Sequence, residues 1–296
     1  VDSAGCYPEA GQILGRWAAA HGVTQGRDPG QNILLDLTEA WGRIDSGGTV
    51  HILQDTETEE TYMAEFMRVS IEASGRETRI IEGLNKGMRW DDAGAIQDAQ
   101  GLVVKTVWKT WAWETAIDQM REREEEEQRL MMQGVVRATK PELVDVLLNS
   151  DVMVYEPLWS LIPSNKAILP VLWSLYPSNP YLLESQFELT ARLKKRGYVK
   201  KPIVGRCGHN IEMVSDERRT IQKTTGQFSK QDDIYQALFK LPKIDNLYTQ
   251  ICSFTVNGHY SGTCVRCDTS PIIQSVSDIL PLRVLSDEAF AGSISN

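Results

Sequence analysis

The feature that most constrains the fold is an alternation of short apolar runs with helix-patterned segments in the first half of the chain. Thr49–Gln54, Thr78–Gly83 and Leu102–Lys109 are rich in β-branched residues, which predicts strands. Between the first two, Glu60–Ala73 has the spacing of an amphipathic helix. Strands that alternate with helices in this way favour a parallel sheet covered by helices.

Further elements are predicted around these strands. Apolar residues recur at helical spacing over Ala10–His21, Gln31–Arg43, Thr110–Gln133 and Pro141–Asn149. Thr110 is expected to cap the helix predicted at Thr110–Gln133, because a threonine at the start of a helix accepts a hydrogen bond from the first turn. Val152–Tyr155 predicts a buried strand, and Ala167–Tyr176 a helix in which Pro170 marks the first turn or a kink.

The second half of the chain has the pattern of antiparallel β-structure with few helices. Leu247–Val256 and His259–Val265 are predicted strands, and the Asn257-Gly258 pair between them is a strong hairpin signal. A basic segment, Lys194–Gly205, ends in a predicted strand, and Ile211–Ser215 predicts another. An N-terminal α/β region therefore joins a C-terminal α+β region between residues 150 and 180.

One phrase, Leu-Trp-Ser-Leu-x-Pro-Ser-Asn, occurs twice, at Leu158–Asn165 and at Leu172–Asn179. Two copies are too few for a solenoid, which needs about three repeats, so they predict two local aromatic turns. The first copy is followed by Lys166 and the second by Pro180, and this difference makes the two copies unlike.

The composition argues against several classes of protein. A net charge of −9 disfavours a nucleic-acid binder that neutralises phosphates. The sequence lacks a run of 18 apolar residues, so no membrane-spanning segment is expected. Five cysteines are an odd number and do not form a disulfide framework, which favours a reducing, cytoplasmic setting. The Cys264–Cys267 pair has no second pair at metal-binding spacing, so a zinc site is not predicted.

Polar residues follow two of the predicted strands, where ligands of open α/β sheets bind. An acidic cluster comes after the first strand and consists of Asp55, Glu57, Glu59 and Glu60. It is equally consistent with a ligand site and with a helix start, which favours carboxylates. The phrase Val107–Thr115 contains three tryptophans, and such aromatic density is usually part of a core, but its threonine hydroxyls at a helix start are also what a carboxylate ligand needs.

The C-terminal half contains a candidate phosphate-binding turn. Lys201 lies on a predicted strand that runs into Gly205–Gly208, a turn bracketed by glycines. Backbone N–H groups of such turns bind anions. A second glycine-bracketed turn, Asn257–Gly262, precedes Arg266. These residues predict a nucleotide site in this half of the chain.

Four long phrases closely resemble those of the synthetase domain of glutathionylspermidine synthases and their shorter bacterial paralogues. They are VWKTWAWET (Val107–Thr115), EPLWSLIPSNKAILPVLWSLYP (Glu156–Pro177), KPIVGRCGHNI (Lys201–Ile211) and FTVNGHYSGTCVR (Phe254–Arg266). The resemblance extends from Asp2 to about Val284. It implies an ATP-grasp-like nucleotide-binding region over residues 161–296. It also implies a pre-ATP-grasp-like α/β region over residues 1–160 that contributes the peptide and polyamine site.

The resemblance also implies a reaction. A ligase of this family uses ATP and Mg²⁺ to phosphorylate the glycine carboxylate of glutathione, and the amine of spermidine then attacks the acyl phosphate.

Gly5 replaces a second hydroxyl residue of the family, which leaves another peptide–amine pair open. The family's magnesium carboxylates correspond to positions upstream of Val1. No metal ligand is therefore expected within this chain, and a nucleotide- or polyamine-binding protein without turnover is a further alternative. Small-molecule substrates are expected, without nucleic acid or membrane, and a homodimer is compatible with the sequence.

Position by position, the resemblance assigns roles to individual residues. The expected ATP contacts are Lys166, Lys201, Arg206, Cys207, Gly208, Gln236, Ala237, Leu238, Phe239, Gln250, Pro271, Ile272 and Ile273. Arg266 corresponds to a catalytic arginine near the transferring phosphate. The expected peptide contacts are Ser3, Glu60, Thr110 and Thr115, and the expected polyamine contacts are Glu59 and Asp278.

Overall fold

A computed structural model describes residues 15–30, 32–45, 48–56, 58–83, 87–133, 140–280 and 282–294. The chain divides into two compact units. The first consists mainly of Gly30–Leu158, together with the hairpin tip Thr255–Gly262. The second consists mainly of Trp159–Phe254 and the residues from Thr263 onward, and it also includes residues 15–29.

The first unit is built on a parallel sheet. The strands of this unit are β1 (Val50–Gln54), β2 (Thr78–Glu82), β3 (Arg89–Trp90), β4 (Ile96–Gln97), β5 (Thr106–Lys109) and β6 (Met153–Tyr155). Four of them form one sheet in the order β2-β1-β5-β6, and every pairing in it is parallel. The short strands β3 and β4 pair with each other in antiparallel fashion. The parallel sheet predicted from the alternating pattern is thus confirmed.

Helices cover this sheet. They are α1 (Ile33–Gly42), α2 (Thr58–Ala73), α3 (Trp113–Met132) and α4 (Leu143–Leu147). All five residues of β1 are buried, as expected for a parallel strand with cover on both faces. Trp41 of α1 and Ile71 of α2 pack with Val50 and Ile52 of β1 in one apolar cluster.

Three predictions for this unit were wrong in detail. The strand predicted from Leu102 begins only at Thr106. Thr110 does not cap α3; the cap position is Ala112, and the Thr110 hydroxyl accepts the backbone N–H of Asp55 at 2.9 Å instead. The strand predicted to be buried at Val152–Tyr155 is the edge strand β6, paired on one side only, and Met153 is 59% exposed.

The second unit contains antiparallel sheets, as predicted. Its strands are β7 (Ser185–Gln186), β8 (Tyr198–Pro202), β9 (Glu212–Val214), β10 (Thr220–Lys223), β11 (Asp233–Ala237), β12 (Lys243–Ile244), β13 (Leu247–Val256), β14 (His259–Asp268) and β15 (Asp278–Leu280). One sheet has the order β10-β9-β8-β11-β7, and the other has the order β12-β13-β14-β15. Asn257 and Gly258, between β13 and β14, both have positive φ, which is the geometry that favours Asn-Gly in a tight hairpin.

Short helices complete the second unit. They are α5 (Leu161–Ser164), α6 (Ile168–Leu175), α7 (Ala191–Arg196) and α8 (Asp287–Ile294). Residues 15–20 are also helical, as predicted for Ala10–His21, and a turn follows at residues 21–22; residues 10–14 lie outside the described part. In the described residues, helices long and apolar enough to cross a membrane do not occur.

The doubled phrase adopts two different local structures. In the first copy a 3₁₀ turn, Leu158–Ser160, leads into α5, and Trp159 is 66% exposed. The first half of the second copy, Leu172–Leu175, lies in α6, where Trp173 is half-buried. Pro170 is the third residue of α6, so its missing N–H falls in the first turn, where helices tolerate proline. The helix predicted at Ala167–Tyr176 is confirmed.

Candidate active site

Two lysines of the second unit lie close enough for their charges to interact. Lys201 on β8 donates a hydrogen bond from Nζ to Oε1 of Gln236 on the neighbouring strand β11, at 2.6 Å. Gln236 is buried and donates in turn to the hydroxyl of Ser185 at 3.1 Å. Burial lowers the pKa of Lys201 to about 8, and the positive charge of Lys166 contributes to the same shift. An anion bound beside these ammonium groups would relieve both effects.

Lys166 is held at two points by the chain that follows β8. Its backbone N–H donates to the carbonyl of Ile203 at 2.8 Å, and its Nζ donates to the carbonyl of Gly205 at 2.5 Å. A side chain at position 205 would place its Cβ 2.9 Å from Cγ of Pro202. Glycine is therefore needed where the chain passes the lysine.

The predicted glycine turn has the geometry of a tight, two-residue turn. The N–H of His209 donates to the carbonyl of Arg206 at 2.9 Å, and Cys207 and Gly208 between them have φ of 51° and 69°. Positive φ at both central residues is characteristic of a type I′ turn. A Cβ on Gly208 would lie 2.6 Å from the carbonyl oxygen of Ile273, so only glycine fits.

A buried apolar cluster lies beside this turn. Ile272 is buried and packs with Val199 and Met213, and Leu238 is packed against the same cluster. A Cβ on Gly208 would be 3.0 Å from Cγ2 of Ile272, which places the cluster next to the turn. Two neighbouring ammonium groups fit the phosphates of a nucleotide, because charge-assisted hydrogen bonds to phosphate are strong.

The remaining residues predicted to contact ATP also lie in the second unit. Ala237 ends β11, Gln250 is exposed on β13, Phe239 is 55% exposed after β11, and Pro271 immediately precedes Ile272. The predicted catalytic residue Arg266 is buried on β14, and its guanidinium donates to the carbonyl of Gln274.

Polar side chains of the first unit meet at the carboxyl ends of β1 and β5. Gln54, the last residue of β1, donates to the hydroxyl of Thr61 on α2 at 2.7 Å. Thr110 follows β5; its N–H donates to the carbonyl of Leu53, and its hydroxyl accepts from Asp55. The predicted contact Thr110 therefore lies at the edge of the sheet where ligands of α/β folds bind.

The other predicted peptide and polyamine contacts divide between the units. Glu60 lies in the first turn of α2 and Thr115 in the first turn of α3, both in the first unit. Asp278 is exposed on β15 of the second unit. Ser3 and the side chain of Glu59 lie outside the described part of the structure.

An ion pair that the sequence analysis missed lies at the same edge of the parallel sheet. Nζ of Lys109 is 2.9 Å from Oε2 of Glu156; the lysine side chain is 1% exposed and the glutamate side chain 50%. The ammonium also donates to the carbonyl of Trp111 at 2.9 Å and lies 5.0 Å from the ring centre of Trp113. The sequence signal was a lysine as the last residue of a strand, directly before the carboxyl edge.

Groups of three or more His, Cys, Asp or Glu side chains that could hold a metal ion are absent from the described residues. Cys264 and Cys267 are both buried, and burial raises the pKa of Cys267. A raised pKa disfavours the thiolate that a metal would need.

Comparison with known proteins decides the family. Residues 2–285 match the family described as glutathionylspermidine synthase preATP-grasp. The chain belongs to this family. It is 47% identical over 289 residues to the bifunctional glutathionylspermidine synthetase/amidase of Escherichia coli (strain K12), an alignment that covers 96% of this chain and 46% of that protein.

Two proteins of Crithidia fasciculata are also similar to this chain. The trypanothione synthetase of that organism is 35% identical to it over 288 residues, and the alignment covers 96% of this chain and 44% of the relative. Its glutathionylspermidine synthase is 26% identical over 351 residues, covering 98% and 48%. The chain spans about half the length of the curated relatives it matches. The family inferred from the tryptophan-rich phrases is confirmed.

Proposed function

We propose that this chain carries an ATP-dependent carboxylate–amine ligation, in which a glutathione-like peptide is joined to a polyamine such as spermidine. The observation that carries the proposal is the pair Lys166 and Lys201, whose juxtaposed ammonium groups favour a bound polyphosphate. The relatives named as glutathionylspermidine and trypanothione synthetases support the choice of peptide and amine.

The chemistry follows from these groups. A carboxylate oxygen of the peptide attacks the γ-phosphorus of ATP, so that ADP leaves and an acyl phosphate forms. The amine nitrogen then attacks the acyl carbon, the C–O bond to phosphate breaks, and the amine loses a proton as the amide forms. Lys166, Lys201 and Arg266 are proposed to stabilise the negative charge that spreads over the transferring phosphoryl group. Mg²⁺ would supply further charge compensation at the phosphates.

The proposal assigns separate roles to two regions of the chain. Residues 161–296 are proposed as an ATP-grasp-like nucleotide-binding region, supported by the two lysines and the Gly208 turn. Residues 1–160 are proposed to bind the peptide through Glu60, Thr110 and Thr115, with Ser3 as a further contact. Carboxylates suit a polyamine because charge-assisted hydrogen bonds hold its ammonium groups, and Glu59 and Asp278 are proposed for that role.

The test is release of ADP by the purified protein supplied with Mg-ATP, glutathione and spermidine. Lys201→Met should abolish it. Lys200→Met is the matched control, because Lys200 lies next to Lys201 on β8 but pairs with Asp233 at 2.8 Å. If the wild type releases no ADP with any peptide and polyamine, or if Lys201→Met retains full turnover, the proposal is wrong.

A second candidate is the same chemistry on another peptide–amine pair. Gly5 favours it, because glycine stands where the resemblance predicts a second hydroxyl residue for holding the peptide. Products formed from a panel of peptides and polyamines, identified by mass spectrometry, would separate the two candidates. A strict preference for glutathione with spermidine would eliminate the second.

A further inference from the structure

The Lys109–Glu156 pair joins three segments at the carboxyl edge of the parallel sheet. Lys109 ends β5, Glu156 follows β6, and Trp111 and Trp113 belong to the segment that enters α3. The ammonium has three N–H groups. Two of them donate to Glu156 Oε2 and to the carbonyl of Trp111, and the charge also faces the ring of Trp113. One buried charge thus holds the ends of two strands and a helix start together.

Glu156 is fixed in an unusual conformation at this point. Its φ is 72°, a left-handed value that non-glycine residues other than Asn and Asp rarely adopt. Its carbonyl accepts a hydrogen bond from Nε1 of Trp113 at 3.0 Å, so backbone and side chain are both tied to the segment that enters α3. Strained residues of this kind persist where the surrounding structure over-determines them, and they cluster at ligand sites.

Packing alone does not account for a charged pair here. A buried ammonium is costly unless it is paired, and apolar residues of similar size often replace such pairs without loss of stability. What the pair supplies is a fixed geometry for the chain between Lys109 and α3. That chain carries Thr110, and Thr115 lies in the first turn of the helix it enters.

We propose that Lys109 and Glu156 are positioning residues that hold the Thr110–Thr115 segment in its peptide-binding geometry and thereby set the affinity for the peptide carboxylate. This inference rests on the proposed function, which places peptide contacts at Thr110 and Thr115. Neither member of the pair needs to touch the peptide for the effect to occur.

Two substitutions of Glu156 separate this role from a structural one. Glu156→Gln keeps the size of the side chain and removes its charge. Glu156→Gly also removes the charge, but it relieves the left-handed backbone, since glycine adopts positive φ without cost. Arg123→Gln is the matched control, because Arg123 forms a 2.7 Å ion pair with Asp145 in the same unit.

The measurements are the KM for glutathione and the KM for ATP, both from ADP release, together with the thermal midpoint. Both Glu156 variants should raise the KM for glutathione by about 10- to 100-fold, since small displacements of a positioning group have effects of this size. The KM for ATP should stay within about twofold in every variant. The control should change neither KM.

An unchanged KM for glutathione in both Glu156 variants would overturn the inference, as would an equal rise in both KM values. If Glu156→Gly keeps the wild-type KM for glutathione while Glu156→Gln raises it, the backbone conformation and not the charge of Glu156 determines the affinity, and the inference also fails. If the wild type shows no turnover, the proposed function fails first. Amide hydrogen exchange then tests the positioning by itself: faster exchange at residues 110–115 in Glu156→Gln supports it, and unchanged exchange contradicts it.

Discussion

Binding of ATP should draw a proton into the protein at mildly alkaline pH, because the pKa of Lys201 is lowered to about 8 in the free protein. At pH 8.5 a group with that pKa is about one-quarter protonated, whereas a lysine at its ordinary pKa is about 99% protonated. If the ATP phosphates restore the ordinary value, each nucleotide bound should take up about 0.7 proton at pH 8.5 and only about 0.1 at pH 7.

Isothermal titration calorimetry measures this uptake directly. The observed heat is recorded at pH 8.5 in buffers of different ionisation enthalpy, and the slope gives the number of protons. The phosphates of ATP are fully ionised at this pH, so they do not contribute. Lys166→Met should reduce the uptake without abolishing it, because burial is the larger cause of the shift and the Lys166 charge the smaller one.

The control is Lys201→Met, which should bind ATP more weakly and take up no proton. An uptake near zero in the wild type, or an equal uptake in Lys201→Met, would refute the reasoning. The same shift has a consequence for stability. Between pH 8 and 10.5 the unfolded chain binds more protons than the folded protein, so this group makes stability rise with pH across that window.

Three further outcomes are expected. Gly208→Ala should destabilise the protein by about 2 kcal/mol or more in urea unfolding and weaken ATP binding; Gly258→Ala, also at positive φ but without a neighbour within 4 Å, should cost only about 1 kcal/mol and leave ATP binding unchanged. Burial lowers the pKa of His51, so stability should be fully present above pH 6.5 and fall as the pH drops below it; in His51→Gln that decline should be shallower, and an identical profile would contradict the assignment. Ile52→Ala, in the core of the first unit, should cost about 2–5 kcal/mol, whereas Ile251→Ala, 69% exposed, should be nearly neutral.

Local patterns were sufficient to predict most of the elements of the fold. The apolar run of β1 and the helical spacing of α2 are properties of neighbouring residues, and together they implied a parallel sheet. Thr110 was misassigned as a helix cap because its hydroxyl bonds to Asp55, which is 55 positions away in the sequence. The exposure of Met153 likewise depends on the order of strands, which places β6 at an edge.

In the candidate site, too, features set by neighbouring residues were predictable, whereas contacts between distant residues were not. The turn at Gly208 was predictable because glycine placement reports backbone conformation, and Lys201 was marked by its position before that turn. The partner of Lys109 was not predictable, because Glu156 lies 47 positions further along the chain and the pair forms only when β5 and β6 align. The lowered pKa of Lys201 likewise depends on the folded structure, first through burial and second through the charge of Lys166, whose Nζ is bonded to Gly205.

Because Lys166 is bonded at two points, its ammonium group is coupled to the movement of the segment that follows β8. Its main chain is bonded to Ile203 and its side chain to Gly205, two residues apart on one short segment. Any shift of that segment on loading or release of a nucleotide would carry the charge with it. The acylation rate of the Lys166 amine, measured with and without ATP, would therefore report a movement of this segment.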